Sequence, residues 1–396
     1  TEINNKVNRN KKEPRKTKQK ILNEYYDLKP VIKIENNVRL IEPYEFKYQL
    51  YIKRRWLGKK LLEVLLSEFH IYSKDYFVEA IKQGKILINE KKTSEEYILK
   101  DNDFLTHLTL RKENPIIYKK LEIIFEDDDY LAVDKPSSWP VHICGAYNFN
   151  TLQRILMDEY GYKNVKILHR LDKQTSGIVI FAKNTNAAEL FRNKLHTEDI
   201  QKIYFARVKG DFSNIFNKKE LINTNGRIIC KKYLKVLDKS KGIHTDVDDK
   251  EVEEFLKSKI EKKDNNKNIN NDEKETYEPK YSETEFEFLF YDKESNTSVV
   301  KCYPKTGRTH LRCLGFPIAN DPCYGGIIFN DLKEFENPKL KEYQYKSDVD
   351  SNKDIFSVSE LYCYKIWLHA WNYKFDKYEF KTKEPDWADK NYKIVY

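Results

Sequence analysis

The stretch HRLDKQTSG, which runs from His169 to Gly177, contains the residue types that can present a reactive carboxylate. Asp172 stands just before the turn-forming residues Thr175, Ser176 and Gly177, and the apolar run IVIFA follows. Such a turn delivers a side chain to the end of a strand, where a carboxylate can act as a nucleophile or a base. An ordinary turn with a surface ion pair would have the same composition, so this pattern alone names no reaction.

Arg170 strengthens this interpretation of Asp172. One residue separates the two, so their side chains project to the same side of an extended backbone. A nearby cation favours the charged form of a carboxylate. The spacing therefore predicts an acid that a guanidinium holds in its ionised form.

Composition is typical of a globular protein with more than one domain. The chain has 396 residues, of which 40% are hydrophobic and 34% are charged, with a net charge of +9. This length allows two or three domains and a sizeable core. The thinly spread positive excess predicts polyanion binding only weakly. The six cysteines form no CxxC pair, which favours free thiols in an intracellular compartment over a zinc site.

Residues 1–53 form a basic tail and a polar lead-in. The first twenty residues contain eight Lys or Arg and two Glu, and we expect a solvated, disordered tail there. A nuclear address or an RNA-binding arm is the alternative. The absence of an apolar run argues against a secretory signal or a membrane span.

Residues 54–112 predict a small α+β domain. Apolar residues recur at helical spacing in RRWLGKKLLEVLLSEF. SKDYFVEAIKQG predicts a second helix that begins after Ser73 and ends at Gly84. KILINEKK then predicts a strand that turns at Asn89 and Glu90, and DFLTHLTL a further strand.

Residues 115–396 predict a larger α+β domain with a mixed, largely antiparallel sheet and helices packed on it. LEIIFEDDDYLAVDKP indicates two strands joined by an acidic turn, and TEFEFLFYD pairs with TSVVKCYPK across KESN. TLQRILMDEYG and NTNAAELFRNKL indicate helices, the second with Asn186 and Glu189 as a capping box. Residues 238–282 are rich in Lys, Asn, Asp and Glu, and predict a disordered insertion.

Five motifs, in order, resemble those of the RluA-type pseudouridine synthases. HRLDKQTSG resembles the HRLDxxTSG motif, and DDDYLAVDKPSSWPVH resembles the stretch that precedes it in the family. QKIYFARVKG, PKTGRTH with GFPIANDPCYGG, and LHAWNYKF resemble the later signatures. The resemblance covers most of residues 115–396 and implies the pseudouridine synthase fold. It also implies an isomerase that turns uridine in RNA from an N-glycosidic to a C-glycosidic link without a metal or a cofactor.

The resemblance assigns roles to individual residues. Asp172 would be the essential carboxylate at the ribose, and Tyr204 would stack on the uracil and help to remove its C5 proton. Arg170 would hold the target nucleotide flipped out of its stack. The basic residues expected along the phosphate track are Lys202, Arg207, Lys305 and Arg308. A core aromatic is the alternative for Tyr204, and the histidines assigned to structure are His169, His310 and His369.

Residues 54–112 resemble the S4-like RNA-binding domain. The resemblance implies phosphate contacts from basic residues of the first helix, with Lys59 and Lys60 as candidates. Contacts to phosphates give affinity and salt dependence but little sequence choice. The alternative is that these lysines form the solvated face of surface helices.

The chain departs from the family pattern after Thr309. Only HLRCL separates Thr309 from Gly315, and one member of the family's QIR triplet is missing. In the family the arginine of this triplet pairs with the catalytic aspartate. Arg312 is the favoured match, and loss of that arginine is the alternative, which would reduce or abolish activity.

These observations predict an RNA pseudouridine synthase that acts on tRNA, with rRNA as a second possible substrate. The subgroup that it resembles modifies anticodon-loop uridines in eukaryotes. We expect a monomer without a membrane partner, in the cytosol, the nucleus or the mitochondrion. The alternative is an RNA-binding or RNA-folding protein that has lost catalysis on the same scaffold. Hydrolysis by a carboxylate pair at Asp127–Asp129 is disfavoured, because this cluster suits a hairpin turn.

Overall fold

The computed structural model describes residues 28–35, 37–69, 72–145, 147–196, 199–238, 243–248, 250–255, 279–306, 314–321 and 365–394. The predicted tail up to residue 27, and the candidate residues Arg308, His310 and Arg312, lie outside these ranges. The described residues from Ile41 to Lys112 belong to one compact unit, and those from Ile34 to Leu40 and from Glu113 onward belong to another.

Strands dominate the described residues. In chain order they are β1 (Ile32–Glu35), β2 (Val38–Ile41), β3 (Tyr44–Tyr51), β4 (Ile86–Ile88), β5 (Lys91–Lys92), β6 (Phe104–Arg111), β7 (Ile116–Ile117), β8 (Glu122–Glu126), β9 (Tyr130–Lys135), β10 (Lys166–Ile167), β11 (Ser176–Ala182), β12 (Gln201–Lys209), β13 (Ile228–Asp238), β14 (Ile243–Asp246), β15 (Lys280–Asp292), β16 (Thr297–Pro304), β17 (Leu368–Phe375) and β18 (Tyr378–Lys381). The helices are α1 (Leu61–Glu68), α2 (Lys74–Lys82), α3 (Leu152–Asp158) and α4 (Thr185–His196), and residues 250–255 are also helical. None of the described helices is both long and apolar enough to span a membrane.

The smaller unit combines two helices with a sheet in the order β3-β6-β4-β5. As predicted, Ser73 caps the second helix, since its hydroxyl accepts a hydrogen bond from the Tyr76 N–H at 3.2 Å. Asn89 and Glu90 have φ values of 53° and 61°, which suits the tight turn predicted between β4 and β5. Strand β3, which precedes residue 54, pairs along its whole length with β6.

The larger unit is built on a sheet in the order β14-β13-β15-β16-β12-β17-β11-β9-β8, with β10 beside β11 and β18 beside β17. The described pairs of this sheet are antiparallel except for β11 with β17. Helices α3 and α4 contribute Leu152 and Phe191 to the hydrophobic cluster that contains β9 and β11. These features confirm the predicted α+β fold with a mixed, largely antiparallel sheet.

Asn184, and not the predicted Asn186, caps helix α4. The Asn184 side-chain oxygen accepts a hydrogen bond from the Ala187 N–H at 2.9 Å, and α4 begins at Thr185. An asparagine in this position satisfies an amide that the first helical turn leaves without a partner. The capping-box assignment to Asn186 and Glu189 was therefore wrong, although the helix itself is confirmed.

Part of the region predicted to be a disordered insertion is structured. Strand β14 pairs with β13 between Leu234↔Asp246 and Asp238↔Ile243, and β15 begins at Lys280. Lys235 also forms an ion pair with Glu251 at 2.7 Å. The prediction is thus wrong for these residues, because strand pairing does not require an apolar composition. Residues 256–278 of the same region lie outside the described residues.

Gly177 lies where β11 approaches the backbone of β17. Its φ is +113°, and a Cβ atom at this position would lie 2.2 Å from the Ala370 carbonyl oxygen and 2.6 Å from the Ala370 nitrogen. Only glycine adopts such a backbone conformation without strain, and only a residue without a side chain permits this contact. The glycine of HRLDKQTSG therefore brings two parallel strands together beside the Asp172 loop.

Gly177→Ala should lower the free energy of unfolding by roughly 3 kcal/mol or more, because backbone strain adds to a clash with Ala370. Gly161→Ala is the matched control. Gly161 has a φ of +81° but nothing within 4 Å of a Cβ, so we expect a loss of about 1 kcal/mol. Urea unfolding measures both variants, and equal losses would contradict this account of Gly177.

Candidate active site

Asp172 is presented at a cleft in the larger unit. It lies in the loop between β10 and β11, where the Thr175 N–H donates to the Asp172 carbonyl at 3.2 Å. Its side chain is exposed and lines a cleft of about 250 Å³. The turn predicted from HRLDKQTSG is therefore confirmed, and it directs the carboxylate into open space.

Both apolar and polar residues line the cleft. Phe191 and Leu195 of α4 and Phe286 of β15 are among the apolar residues of the lining, and of these three only Leu195 is exposed. Arg170 and Lys202 are among its basic residues. The volume is at the small end of ligand sites, which are typically apolar with a few placed polar groups. A single pyrimidine base matches both the size and this mixture of surfaces.

Tyr204 of β12 lines the same cleft as Asp172. Its hydroxyl lies 2.6 Å from the hydroxyl of Tyr373 on β17. Burial raises the pKa of Tyr204 to about 12, although the hydrogen bond with Tyr373 opposes the shift. Tyr204 is therefore a neutral phenol at physiological pH. The structure brings Asp172, Arg170, Lys202 and Tyr204 to one cleft, as the sequence predicted.

Lys135 is a residue of this region that the sequence reasoning missed. It ends β9 with 0% of its surface exposed, and its Nζ donates to the carbonyl oxygens of Pro136 at 3.0 Å, Trp139 at 2.9 Å and Lys173 at 3.3 Å. Burial lowers the pKa of Lys135 to about 7, and the negative charge of Asp172 opposes this shift. A lysine at the end of an apolar strand, within DDDYLAVDKP, was the signal in the sequence.

Lys135, and not Arg170, is the basic residue bonded to the Asp172 loop. Among the described residues no ion pair joins Arg170 to Asp172, and both side chains are exposed, so the predicted guanidinium–carboxylate pair is not formed. Lys135 instead holds the backbone of Lys173, the residue after Asp172. Arg170 stays at the cleft as an exposed guanidinium.

His169 and His369 are structural, as predicted. The Nε2 atom of His169 accepts a hydrogen bond from the Ile180 N–H at 3.2 Å, and burial lowers the His169 pKa to about 3. His369 bonds to Ser176 at 2.8 Å and to Thr382 at 2.7 Å, and burial lowers its pKa to about 4. Neither ring can serve as a cation at neutral pH.

Asp127 confirms the predicted hairpin turn. Its carboxylate accepts hydrogen bonds from the backbone N–H groups of Asp129 at 2.9 Å and Tyr130 at 2.7 Å. A carboxylate used in this way shapes the turn between β8 and β9. Among the described residues no group of three or more His, Cys, Asp or Glu side chains is arranged to hold a metal ion.

Comparison with known proteins identifies the family. The family described as RNA pseudouridylate synthase matches residues 129–311. The mitochondrial tRNA pseudouridine(32) synthase of Saccharomyces cerevisiae is 30% identical over 400 residues, which cover 90% of this chain and 78% of that protein. The chain belongs to the RluA-type pseudouridine synthases. These enzymes are isomerases that convert uridine to pseudouridine.

Two further relatives of this synthase are matched over different shares of their own length. Pseudouridylate synthase RPUSD2 of Homo sapiens is 32% identical over 333 residues, and the chain spans about half (53%) of that protein. The tRNA pseudouridine(31) synthase of Saccharomyces cerevisiae is 28% identical over 417 residues, which cover 89% of this chain and 96% of that protein. The family match includes Asp172 and Tyr204, and it ends at residue 311, beside Arg312.

Arg207 of the synthase does not line a phosphate track. It is 1% exposed, and its guanidinium donates to Thr297 Oγ1 at 2.8 Å and to the Trp387 carbonyl at 2.9 Å. It also pairs with Asp292. Side chains alternate along a strand, so a residue three positions after Tyr204 points away from the cleft. The period of two in KIYFARVKG could have corrected this assignment.

The other predicted phosphate contacts lie in different settings. Lys202 of the synthase is half-buried in the wall of the cleft. Lys305 is 50% exposed and pairs with Glu283 at 2.8 Å and Glu285 at 3.4 Å, so carboxylates already balance its charge. In the smaller unit, Lys59 is exposed and Lys60 forms an exposed ion pair with Glu96.

Lys202→Gln and Arg207→Gln in the synthase should separate binding from stability. Lys202→Gln should weaken RNA binding several-fold and reduce the salt slope by about one, with little change in unfolding. Arg207→Gln should cost about 3 kcal/mol of stability, because Asp292 loses its partner, with RNA affinity per folded molecule unchanged. Each variant is the control for the other. If Lys202→Gln lowered stability and Arg207→Gln weakened RNA binding, the conclusion that these two side chains point to opposite faces of β12 would be refuted.

Lys135→Met should destabilise the synthase by roughly 3 kcal/mol, since three carbonyl groups lose their buried donor. We also expect a lower rate of isomerisation per folded molecule, because the loop after Asp172 is no longer held. Lys163→Met, at an exposed position, is the control. Thermal unfolding and single-turnover assays measure both effects, and wild-type values for Lys135→Met would exclude this role.

Proposed function

We propose that this enzyme isomerises uridine in tRNA at the cleft, with Asp172 as the essential reacting group. The observation that carries the proposal is the exposed Asp172 carboxylate in a cleft of about 250 Å³ that Tyr204 also lines. The names of both yeast relatives state that those proteins act on tRNA. A tRNA substrate would also agree with an intracellular location and with a monomer that needs no membrane partner.

The substrate must leave its stack to reach Asp172. The carboxylate lies inside a cleft, whereas the C1′ atom and the base of a stacked nucleotide are not accessible together. Arg170 at the cleft and Lys202 in its wall can bind the phosphates that flank the flipped nucleotide. The apolar part of the lining, which includes the exposed Leu195, would then receive the uracil ring in place of neighbouring bases.

Asp172 can act on the ribose in either of two balanced ways. As a nucleophile, a carboxylate oxygen bonds to C1′ while the C1′–N1 bond breaks, and the uracil leaves as an anion. After the uracil turns, C5 bonds to C1′, the carboxylate leaves, the C5 proton is lost and N1 gains a proton. As a base, Asp172 removes the C2′ proton while the same glycosidic bond breaks and a C1′–C2′ double bond forms. C5 of the turned uracil then bonds to C1′ as Asp172 returns the proton to C2′, the C5 proton is lost to solvent and N1 gains a proton. Neither route requires an oxidant or a reductant.

Tyr204 acts as a neutral phenol in this scheme. Because its pKa lies at about 12, the phenolate that would remove the C5 proton is scarce at neutral pH. A protonated tyrosine instead offers a ring face for stacking and an O–H for donation to a uracil carbonyl oxygen. We therefore propose that Tyr204 orients the uracil, which refines the proton-abstraction role suggested by the sequence.

The smaller unit would supply non-specific affinity for RNA. The S4-like assignment of residues 54–112 is part of the proposal and rests on the resemblance together with the helix pair and hairpin. Lys59 is exposed, and the exposed pair of Lys60 with Glu96 can exchange for a phosphate at little cost. Arg312 is proposed as a further partner of Asp172, and it lies outside the described residues.

An RNA-binding protein that has lost catalysis is the second candidate function. The observation in its favour is the short segment after Thr309, where the family match ends at residue 311. Such a protein would keep the cleft and its basic residues but would not need the Asp172 carboxylate. The two functions therefore differ in their response to a single substitution.

Asp172→Asn should lower the rate of pseudouridine formation by roughly 10³-fold or more while RNA affinity and thermal stability stay at wild-type values. The exposed Asp128→Asn in the β8–β9 turn is the matched control. Release of tritium from tRNA labelled at uridine C5 measures the rate, because C5 loses its hydrogen. A wild-type rate for Asp172→Asn would refute the role of Asp172, and no product with the wild-type enzyme on any tRNA would favour the second candidate.

A further inference from the structure

The hydrogen bond between Tyr204 and Tyr373 depends on an irregularity in strand pairing. In the β12–β17 register, Tyr204 lies opposite Ala370 and Lys202 lies opposite Tyr373, so β17 contains one extra residue, a β-bulge. Side chains alternate along a regular strand, and residues 370 and 373 would then point to opposite faces. The bulge brings Tyr373 to the cleft face that carries Tyr204.

Tyr373 is a buried phenol with one hydrogen-bond partner among the described residues. It is 3% exposed, and its hydroxyl lies 2.6 Å from that of Tyr204. Burial raises its pKa well above the usual range, so the O–H remains protonated. A buried donor without an acceptor is costly. The Tyr373 hydrogen therefore goes to Tyr204, and the Tyr204 hydrogen is left to point into the cleft.

His169 holds the Tyr373 ring in place. The two rings are stacked, with centroids 4.8 Å apart and an interplanar angle of 19°. His169 is itself held by the Ile180 N–H and stacks on Phe191 with centroids 6.2 Å apart. A ring packed in this way has little rotational freedom, so its hydroxyl is a fixed donor.

We propose that Tyr373 is a positioning residue that aims the Tyr204 hydroxyl at the substrate. The Tyr373 O–H donates to the Tyr204 oxygen, which fixes that oxygen and directs the Tyr204 O–H towards a uracil carbonyl oxygen. The pair then requires an acceptor on the base at this point of the cleft. The proposal rests on the active-site role of Tyr204 proposed above, and it gives the first residue of HRLDKQTSG a function as the packing partner of Tyr373.

Tyr373→Phe removes only the hydroxyl and keeps the stacking with His169. We expect a fall in the single-turnover rate of roughly tenfold, with KM for tRNA unchanged and Tm within about 2 °C of wild type. Tyr130→Phe is the matched control, since it also loses a buried hydroxyl bond, to the Ala187 carbonyl at 3.1 Å, away from the cleft. We expect the control to keep the wild-type rate.

The double variant Tyr204→Phe/Tyr373→Phe distinguishes positioning from a general structural effect. If Tyr373 acts through Tyr204, the double variant should be as slow as Tyr204→Phe alone. The proposal would be overturned if the rate of the double variant fell by the product of the two single effects, or if Tyr373→Phe kept the wild-type rate. If Asp172→Asn is inactive while Tyr373→Phe is fully active, only the positioning role fails. If Asp172→Asn is active, the proposed function itself fails.

Discussion

The site depends on the three hydrogen bonds that the buried side chain of Lys135 donates to backbone carbonyl groups. Lys135 donates to the carbonyl groups of Pro136 and Trp139, which follow β9, and to that of Lys173 in the Asp172 loop. It thus joins the end of β9 to the residue that follows Asp172. The negative charge of Asp172 favours the protonated form of Lys135 and so opposes the burial that lowers the pKa of this lysine. Asp172 is thus exposed at the cleft, while the lysine that holds the next residue of its loop is buried.

The strands of the large sheet determine which side chains line the cleft. Gly177 lets β11 approach β17 beside the Asp172 loop, and the bulge in β17 turns Tyr373 towards the same space. The alternation of β12 places Tyr204 in the cleft and Arg207 on the other side. The positions of Tyr204, Arg207 and Tyr373 thus follow from backbone features of strands β12 and β17.

Local patterns were sufficient to predict much of this arrangement. The turn after Asp172, the strand pairs and the Ser73 cap depend on neighbouring residues, and the structure confirms them. Arg207 was misassigned because a motif match was preferred to the strand period. Lys135 and Tyr373 were missed because their roles arise from contacts between distant segments, and a bulge leaves no clear mark in LHAWNYKF.

The most direct test of this account is the structure of the Asp172→Asn variant bound to a substrate tRNA. We predict that the target uridine is flipped into the cleft, with its C1′ about 3–3.5 Å from the side chain at position 172 and its uracil against Tyr204. A uridine that remains stacked in the RNA, or that binds away from the cleft while the wild-type enzyme isomerises it, would contradict the account.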